Sequence, residues 1–316
     1  MTLGRKYIIS LFILITCWSY QNVFAQGCSD AGFCTMGAMR PGQSYTRHIN
    51  FKLRSIEINQ YRGSTTLSPI IYATAIDLNF GISSNTSFQF KLPYQWVEGD
   101  MGSTSGLSDI SVSLTTTFIK AGAFRLNATL GGKIPTNRSD LKDNRGRVLP
   151  MYYQTSLGSY DFIAGVSLTS RKWLLATGVQ MALTENDNRF TYNAWNDYTD
   201  QEYLRSHSLA AGLRRGTDIM FRVERNFRFS NFNFNVGLLP IYRLNRDKID
   251  DSETELRFKQ NDTNGLALTL IFGVEYHFNI DNSVKFLLGR KYIDREVNPD
   301  GLTRHQVLSL SYITRF

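Results

Sequence analysis

Asp109-Ile110-Ser111-Val112-Ser113-Leu114-Thr115-Thr116-Thr117-Phe118 is the stretch that decides the fold. Ile110, Val112, Leu114, Thr116 and Phe118 alternate with Asp109, Ser111, Ser113, Thr115 and Thr117. Successive strand side chains point to opposite faces, so one face is greasy and the other wholly polar. The next segment repeats the pattern, with Phe124, Leu126, Ala128 and Leu130 against Arg125, Asn127, Thr129 and Gly131. So do Phe88, Phe90, Leu92, Tyr94 and Trp96 against Gln89, Lys91 and Gln95, and Phe232, Phe234, Val236 and Leu238 against Asn231, Asn233, Asn235 and Gly237.

A soluble sandwich also alternates. Three features point instead to a membrane-crossing barrel. The segments run to about 10 to 14 residues, beyond the usual globular strand. Short connections alternate with long ones. Aromatic residues gather near segment ends, as in Tyr94-Trp96, Trp173, Tyr242, Tyr276-Phe278 and Tyr292, where interfacial girdles belong. Such a sheet must close, because lipid offers no partner for an open edge.

The pattern predicts an all-β antiparallel transmembrane barrel over 48–316, with strands near 48–61, 67–80, 84–97, 106–119, 122–134, 151–170, 172–184, 203–228, 231–244, 264–279, 283–293 and 303–316. These are twelve strands with both ends on the periplasmic side, and the long connections 135–150, 185–202 and 245–263 all fall on the external face. Two strands are over-long: 151–170 contains Leu157-Gly158-Ser159, and 203–228 contains Arg214-Arg215-Gly216-Thr217. Fourteen strands result only if both split.

Before the barrel, residues 1–25 read as a cleaved secretory signal. Arg5 and Lys6 precede the apolar run Tyr7 to Trp18, and Val23-Phe24-Ala25 offers a cleavage site at Ala25. The run is too short for a spanning helix, and the residues before Cys17 and Cys28 fit a lipoprotein signal poorly. Without Arg5 and Lys6 the 35 basic residues fall to 33 against 27 acidic ones, a net of +6. Lys and Arg are scattered rather than clustered, which argues against nucleic acid as a partner. Mean hydropathy is −0.24 although aromatics reach 13%, and no later stretch is apolar enough for a membrane helix.

Segment 26–47 is expected to be periplasmic or to plug the lumen. Exported Cys28 and Cys34 are read as a disulfide. A soft-metal site from those thiols with Met36 and Met39 is the alternative, and no metal or other cofactor is assigned. At the other end Leu308, Leu310, Tyr312 and Phe316 share one face. That phased set resembles the signal read by the barrel-assembly machinery, the expected partner besides outer-membrane lipids.

Several short motifs carry a family resemblance: Gly106-Leu107-Ser108-Asp109-Ile110, Leu130-Gly131-Gly132-Lys133-Ile134-Pro135-Thr136, Leu157-Gly158-Ser159-Tyr160-Asp161 and Asn298-Pro299-Asp300-Gly301-Leu302-Thr303. They resemble an outer-membrane barrel family named for a phenol-degradation meta-pathway protein, whose members are described as transporters. Ser108 and Asn137 stand where that family has Gly. The resemblance implies an outer-membrane location and a channel.

Inward faces are expected to present Lys91, Arg125, Lys133, Arg214, Arg222, Lys285, Lys291 and Arg315 with Asp77, Asp109, Asp218, Glu224 and Glu275. His277 shares the face of Glu275. These groups either pair and fill the interior or line an anion-favouring path for a small solute. The expected function is a channel or uptake protein for small anionic or aromatic solutes, and not an enzyme. Two alternatives stay open. One is a lipid-modifying enzyme using Ser206, His207 or Ser208, although strand neighbours face opposite ways. The other is a surface binding protein whose loops present Tyr192, Trp195, Tyr198 and Tyr203; the acidic cluster Asp247, Asp250, Asp251, Glu253 and Glu255 lacks calcium-loop spacing.

Overall fold

The computed structural model describes Met36, residues 52–251, Thr254 and residues 256–316. The expected signal segment, its cleavage site, Cys28, Cys34 and Met39 lie outside the described residues.

One antiparallel sheet of thirteen segments makes the wall. In chain order these are β1 (Lys52–Ser64), β2 (Ile70–Gly81), β3 (Thr86–Gly99), β4 (Gly102–Leu107), β5 (Ile110–Ala121), β6 (Phe124–Ile134), β7 (Asp161–Thr169), β8 (Trp173–Ala182), β9 (Asp218–Phe229) and β10 (Phe232–Arg243). The wall is completed by β13 (Gly265–His277), β14 (Asn282–Ile293) and β15 (Gln306–Arg315), while β11 (Lys248–Asp250) and β12 (Arg257–Lys259) form a separate hairpin between β10 and β13. Both β4 and β5 pair with β3, so they are two halves of one wall strand and the barrel has twelve. It closes through β1 and β15, in register from Ser55↔Arg315 to Ser64↔Gln306.

Pro93 explains the break between β4 and β5. It lies inside β3 but has no N–H to give to the ladder. The facing strand bulges at Ser108-Asp109, Ser108 donating its N–H to the Pro93 carbonyl at 2.9 Å. The bulge turns Asp109 into the interior, where it is 4% exposed.

Burial is inverted relative to a soluble protein. Ser111, Ser113 and Thr115 are buried, whereas outward Leu114 and Phe118 are 42% and 68% exposed. Leu130, Val166, Leu175, Phe221, Val236, Leu238, Leu270 and Phe272 continue the apolar outer belt around the wall. Aromatic rings border the belt at both ends. Tyr72 stacks on Trp96 at 6.2 Å at one end, and Phe232 meets Tyr276 at 4.8 Å at the other.

At the Phe232 end the connections are brief: 82–85, 122–123, 170–172, 230–231 and 278–281. Gly122, at φ 57°, supplies the left-handed residue that the two-residue turn between β5 and β6 requires. The opposite end carries the long loops 135–160, 183–217, 244–264 and 294–305.

Neither over-long strand survives at its expected length, and neither splits into a hairpin. β7 begins only at Asp161, because Pro150 leads into a 3-10 turn at Met151–Tyr153 and Gly158 is left-handed at φ 70°. β9 begins only at Asp218. Residues assigned to its start instead form a short helix, α1 (Gln201–Arg205), capped when the Asp200 carboxylate accepts the Tyr203 N–H at 2.9 Å.

Candidate solute path through the barrel

The loop end is covered by the chain itself. Trp195, Phe190 and Leu204 from loop 183–217 pack on Leu149 and Tyr153 from loop 135–160 and on Ile71 and Val97 of the wall. Trp195 is wholly buried, donates its indole N–H to the Val148 carbonyl at 3.0 Å, and carries the Arg147 guanidinium over its ring at 3.7 Å. The tyrosines read as a surface-binding set belong to this cover: Tyr192, Tyr198 and Tyr203 pack against the same cluster.

His207 lies inside that cover, wholly buried between the rings of Tyr152, Tyr153 and Tyr203. Burial pushes its pKa down to about 4, against a smaller upward effect of the Tyr203 and Leu204 backbone contacts. Its Nδ1 is 3.0 Å from the Tyr203 carbonyl, and the Ser206 hydroxyl donates to that same carbonyl at 2.6 Å. Ser206 is thus engaged with backbone, and the arrangement is not that of a nucleophile held by its base.

Ion pairs tie this cover to the wall. Arg243 at the end of β10 donates to both oxygens of Asp218 on β9 at 2.8 Å, to Asp247 at 2.9 Å and to Asp300 at 3.0 Å. Arg215 in loop 183–217 pairs with Asp161 at the start of β7. Burial alone would raise the Asp300 pKa, but Arg243, Arg295 and Arg215 outweigh it and hold the carboxylate ionised.

Below this layer the lumen has two faces. Ile163, Leu174, Ala176, Met220, Leu239 and Ile271 form an apolar patch, with Ile241 and Leu287 packed beside it and Met36 buried against it. The other side is lined by hydroxyls and amides. Thr115 and Thr129 hydroxyls lie 2.7 Å apart, Asn59 donates to Ser311 at 2.7 Å, and Gln89 donates to Asp77 at 2.6 Å. Gln180 Oε1, Glu224 Oε2 and Asn235 Oδ1 have no protein hydrogen-bond partner among the described residues. Inward oxygens in that state are met by water or polar solute.

Of the expected lumen charges, Lys133 lies 3.8 Å from Asp109, and Arg222 donates to Glu224 at 2.5 Å with both side chains 1% exposed. Gly237 makes room for that pair, since a Cβ there would fall 2.4 Å from Glu224 Cγ. Toward the turn end Glu275 accepts from Ser283 at 2.8 Å and from Arg315 at 2.9 Å, with His277 at 3.7 Å and Lys285 directly opposite in register. Lys91 faces Asp77 across β2 and β3, and Arg125 faces Lys120 across β5 and β6. Lys291 pairs with Asp294 at 2.6 Å.

Arg214 is the exception. It is exposed in loop 183–217 and bonds through its backbone to Lys248, so it is not a lumen residue. Extending the strand pattern across Arg214-Arg215 chose the wrong arginine, because the loop has no period of two. Arg215, Arg243, Asp161 and Asp300 were missed for a related reason, since loops folding back from distant positions bring them together. The loop acids are engaged too, Asp247 with Arg243 and Asp250 with Arg257 at 3.0 Å. Among the described residues, no three His, Cys, Asp or Glu side chains form a metal-binding group.

Along the last strand Leu310, Tyr312 and Phe316 face outward at 52%, 46% and 54% exposure, and Leu308 shares their side.

No family model matches the chain, and no curated protein matches it significantly. Among solved structures it is similar to an outer-membrane channel from Pseudomonas putida F1, with TM-score 0.62, 14% identity, and coverage of 87% of this chain and 99% of that one. Lower likenesses include the NanC porin, with TM-score 0.47, 9% identity and coverage of 83% and 98%, and the outer membrane phospholipase A of Escherichia coli, with TM-score 0.40, 8% identity and coverage of 84% and 98%. The likeness to the Pseudomonas channel shows the fold: this chain is a closed, twelve-stranded antiparallel barrel of the outer-membrane type.

Proposed function

We propose that the barrel is an outer-membrane channel for small amphipathic solutes, with aromatic acids as the leading class. The observation that carries this reading is the two-faced lumen. An apolar patch from Ile163 to Ile271 faces a wall of Thr, Ser, Asn and Gln side chains, with Lys285 and Arg315 nearer the turn end. An aromatic ring suits the first face and a carboxylate the donors and cations.

The same reading takes residues 1–25 as the export signal, Cys28 and Cys34 as a disulfide formed after export, and Leu308, Leu310, Tyr312 and Phe316 as the insertion signal. Thiol titration with and without reductant tests the bridge, since fully alkylatable native cysteines would rule it out. For transport, the decisive measurement is single-channel conductance with sodium benzoate, sodium acetate and a neutral sugar. Benzoate is expected to slow or block the current more than acetate. A folded preparation that passes no ions overturns the channel reading.

A further inference from the structure

Arg225 on β9 points away from the lumen. It shares the face of Phe221 and Val223, which are 52% and 41% exposed on the outer belt, whereas Arg222 and Glu224 are buried inside. Its guanidinium carbon lies 4.7 Å from the ring centre of Trp173, its register partner on β8, and 5.7 Å from that of Phe227. Among the described residues no carboxylate pairs with it and no acceptor takes its N–H groups. An arginine facing lipid without a protein counter-ion is costly, so the membrane itself is the source of its anion.

The surroundings have one sign of charge. Trp173 is the first residue of β8, which places the pair at the turn-side edge of the belt. Three successive turn segments meet there. Residues 119–125, 169–173 and 225–233 carry Lys120, Arg125, Arg171, Lys172, Arg225 and Arg228 and no Asp or Glu. Arg171 and Lys172 are exposed, and the Lys172 carbonyl accepts the Asn226 N–H at 2.8 Å, which sets that turn beside Arg225. This sector of the rim presents a positive field at the height of lipid headgroups.

Beyond the rim the wall has room for an acyl chain. An outward groove of about 610 Å³ crosses β5 to β9, floored by the small side chains of Ala128, Ala164 and Thr177 and banked by Phe118, Leu130 and Ile219. Thr177 lies four residues along β8 from Trp173, about 13 Å at the rise of a strand. One leaflet of a hydrocarbon core about 30 Å thick is about 15 Å deep. A headgroup held at Arg225 therefore lays its acyl chain over Thr177.

We propose that Arg225 and Trp173, with Arg171 and Lys172, form a binding site for an anionic phospholipid of the periplasmic leaflet, its phosphate on the guanidinium and an acyl chain in the groove. Short turns face the periplasm in such barrels, so the occupant is a glycerophospholipid of that leaflet. The Trp173 and Phe227 rings orient the planar guanidinium and leave its N–H edge for two phosphate oxygens, a fork that lysine lacks. The bound chain fills the depression that Ala128, Ala164 and Thr177 leave in the outer wall.

The test takes the full-length protein, with folding verified by gel mobility before and after heating, through native mass spectrometry with phosphatidylglycerol and phosphatidylethanolamine of identical acyl chains. Wild type is expected to retain phosphatidylglycerol in preference. R225M should lower that affinity about 5-fold, and R225K should fall between the two. K142Q, which removes an exposed charge from loop 135–160 at the opposite end, should leave it unchanged. A164F, which fills the groove, should weaken long-chain phosphatidylglycerol but not its dihexanoyl form. Equal retention of the two lipids by wild type, an R225M barrel that binds like wild type, or a K142Q loss as large as that of R225M overturns the site. So does release of the lipid by millimolar inorganic phosphate, which would mark a site for phosphate alone. A dimer of the chain in place of the lipid adduct overturns it too, because the groove then belongs to a second copy.

Discussion

The Arg243 guanidinium reaches Asp300 at 3.0 Å, joining β10 to the loop before the last strand across 57 residues of sequence. The same side chain holds Asp218 and Asp247, so a single group fixes two loops to the wall. Removing one partner of a buried pair leaves the others uncompensated and costs about 3–5 kcal/mol. Arg243→Met should therefore lower resistance to urea unfolding and make the current flicker as the loop cover loosens. Asp300→Asn should do the same more mildly, because Asp218 still receives two hydrogen bonds. Equal effects of both substitutions, or no change in current noise, would argue that the network does not hold the cover.

Little of this network was legible in the sequence, and the contrast with the wall is physical. Alternation is local: Ser113 faces in and Leu114 out because the strand pleat makes it so, whatever the neighbouring strand. The twelve wall strands were recoverable on that basis. Arg214 and Arg215 lie where the pleat ends, and which of them reaches Asp161 depends on how loop 183–217 folds back. Likewise the apolar lumen patch reads as scattered residues, Ile163, Leu174 and Met220 among them, until strand register brings them level.

His207 supplies the pH dependence. The closed cover holds it neutral at a pKa of about 4, while an imidazole released to water titrates near 6.5. A base whose pKa is depressed in the closed state stabilises that state fully above about pH 6.5 and loses that contribution as pH falls toward 4. The loss is about 1.4 kcal/mol per pH unit. Among the described residues no carboxylate contacts the ring, which is enclosed by Tyr152, Tyr153 and Tyr203. Lowering the external pH from 7 to 4.5 should thus raise the open fraction, and His207→Gln should flatten the response. A wild-type current that falls steadily on acidification would contradict this assignment.

The outer belt can be tested independently of transport. Leu238 is 44% exposed on the face that meets lipid, whereas the neighbouring strand position Gly237 faces the interior. Leu238→Arg should destabilise the folded barrel by about 2–4 kcal/mol if the position lies near the bilayer midplane. Thr129→Lys, on the inner wall, should be tolerated and should shift ion selectivity instead. Urea unfolding in lipid vesicles measures the first, and reversal potential in a salt gradient the second. Comparable destabilisation from both would mean that the assignment of inner and outer faces is wrong.

Arg222 and Glu224 decide whether the mid-lumen charge is structural or part of the path. They bond at 2.5 Å, and each is 1% exposed, so the pair contributes no net charge to a passing ion. Neutralising Glu224 with Gln keeps the shape but leaves the guanidinium charge uncompensated, and a lone cation in a narrow lumen attracts anions. Glu224→Gln should therefore move the reversal potential toward anion preference at low salt, and the shift should shrink at high salt as screening grows. Arg222→Met should move it the opposite way, because the remaining carboxylate repels anions. If the two substitutions alter stability but leave reversal potential untouched, the pair belongs to the packing of the wall, and selectivity must come from the Glu275, Lys285 and Arg315 group toward the turn end.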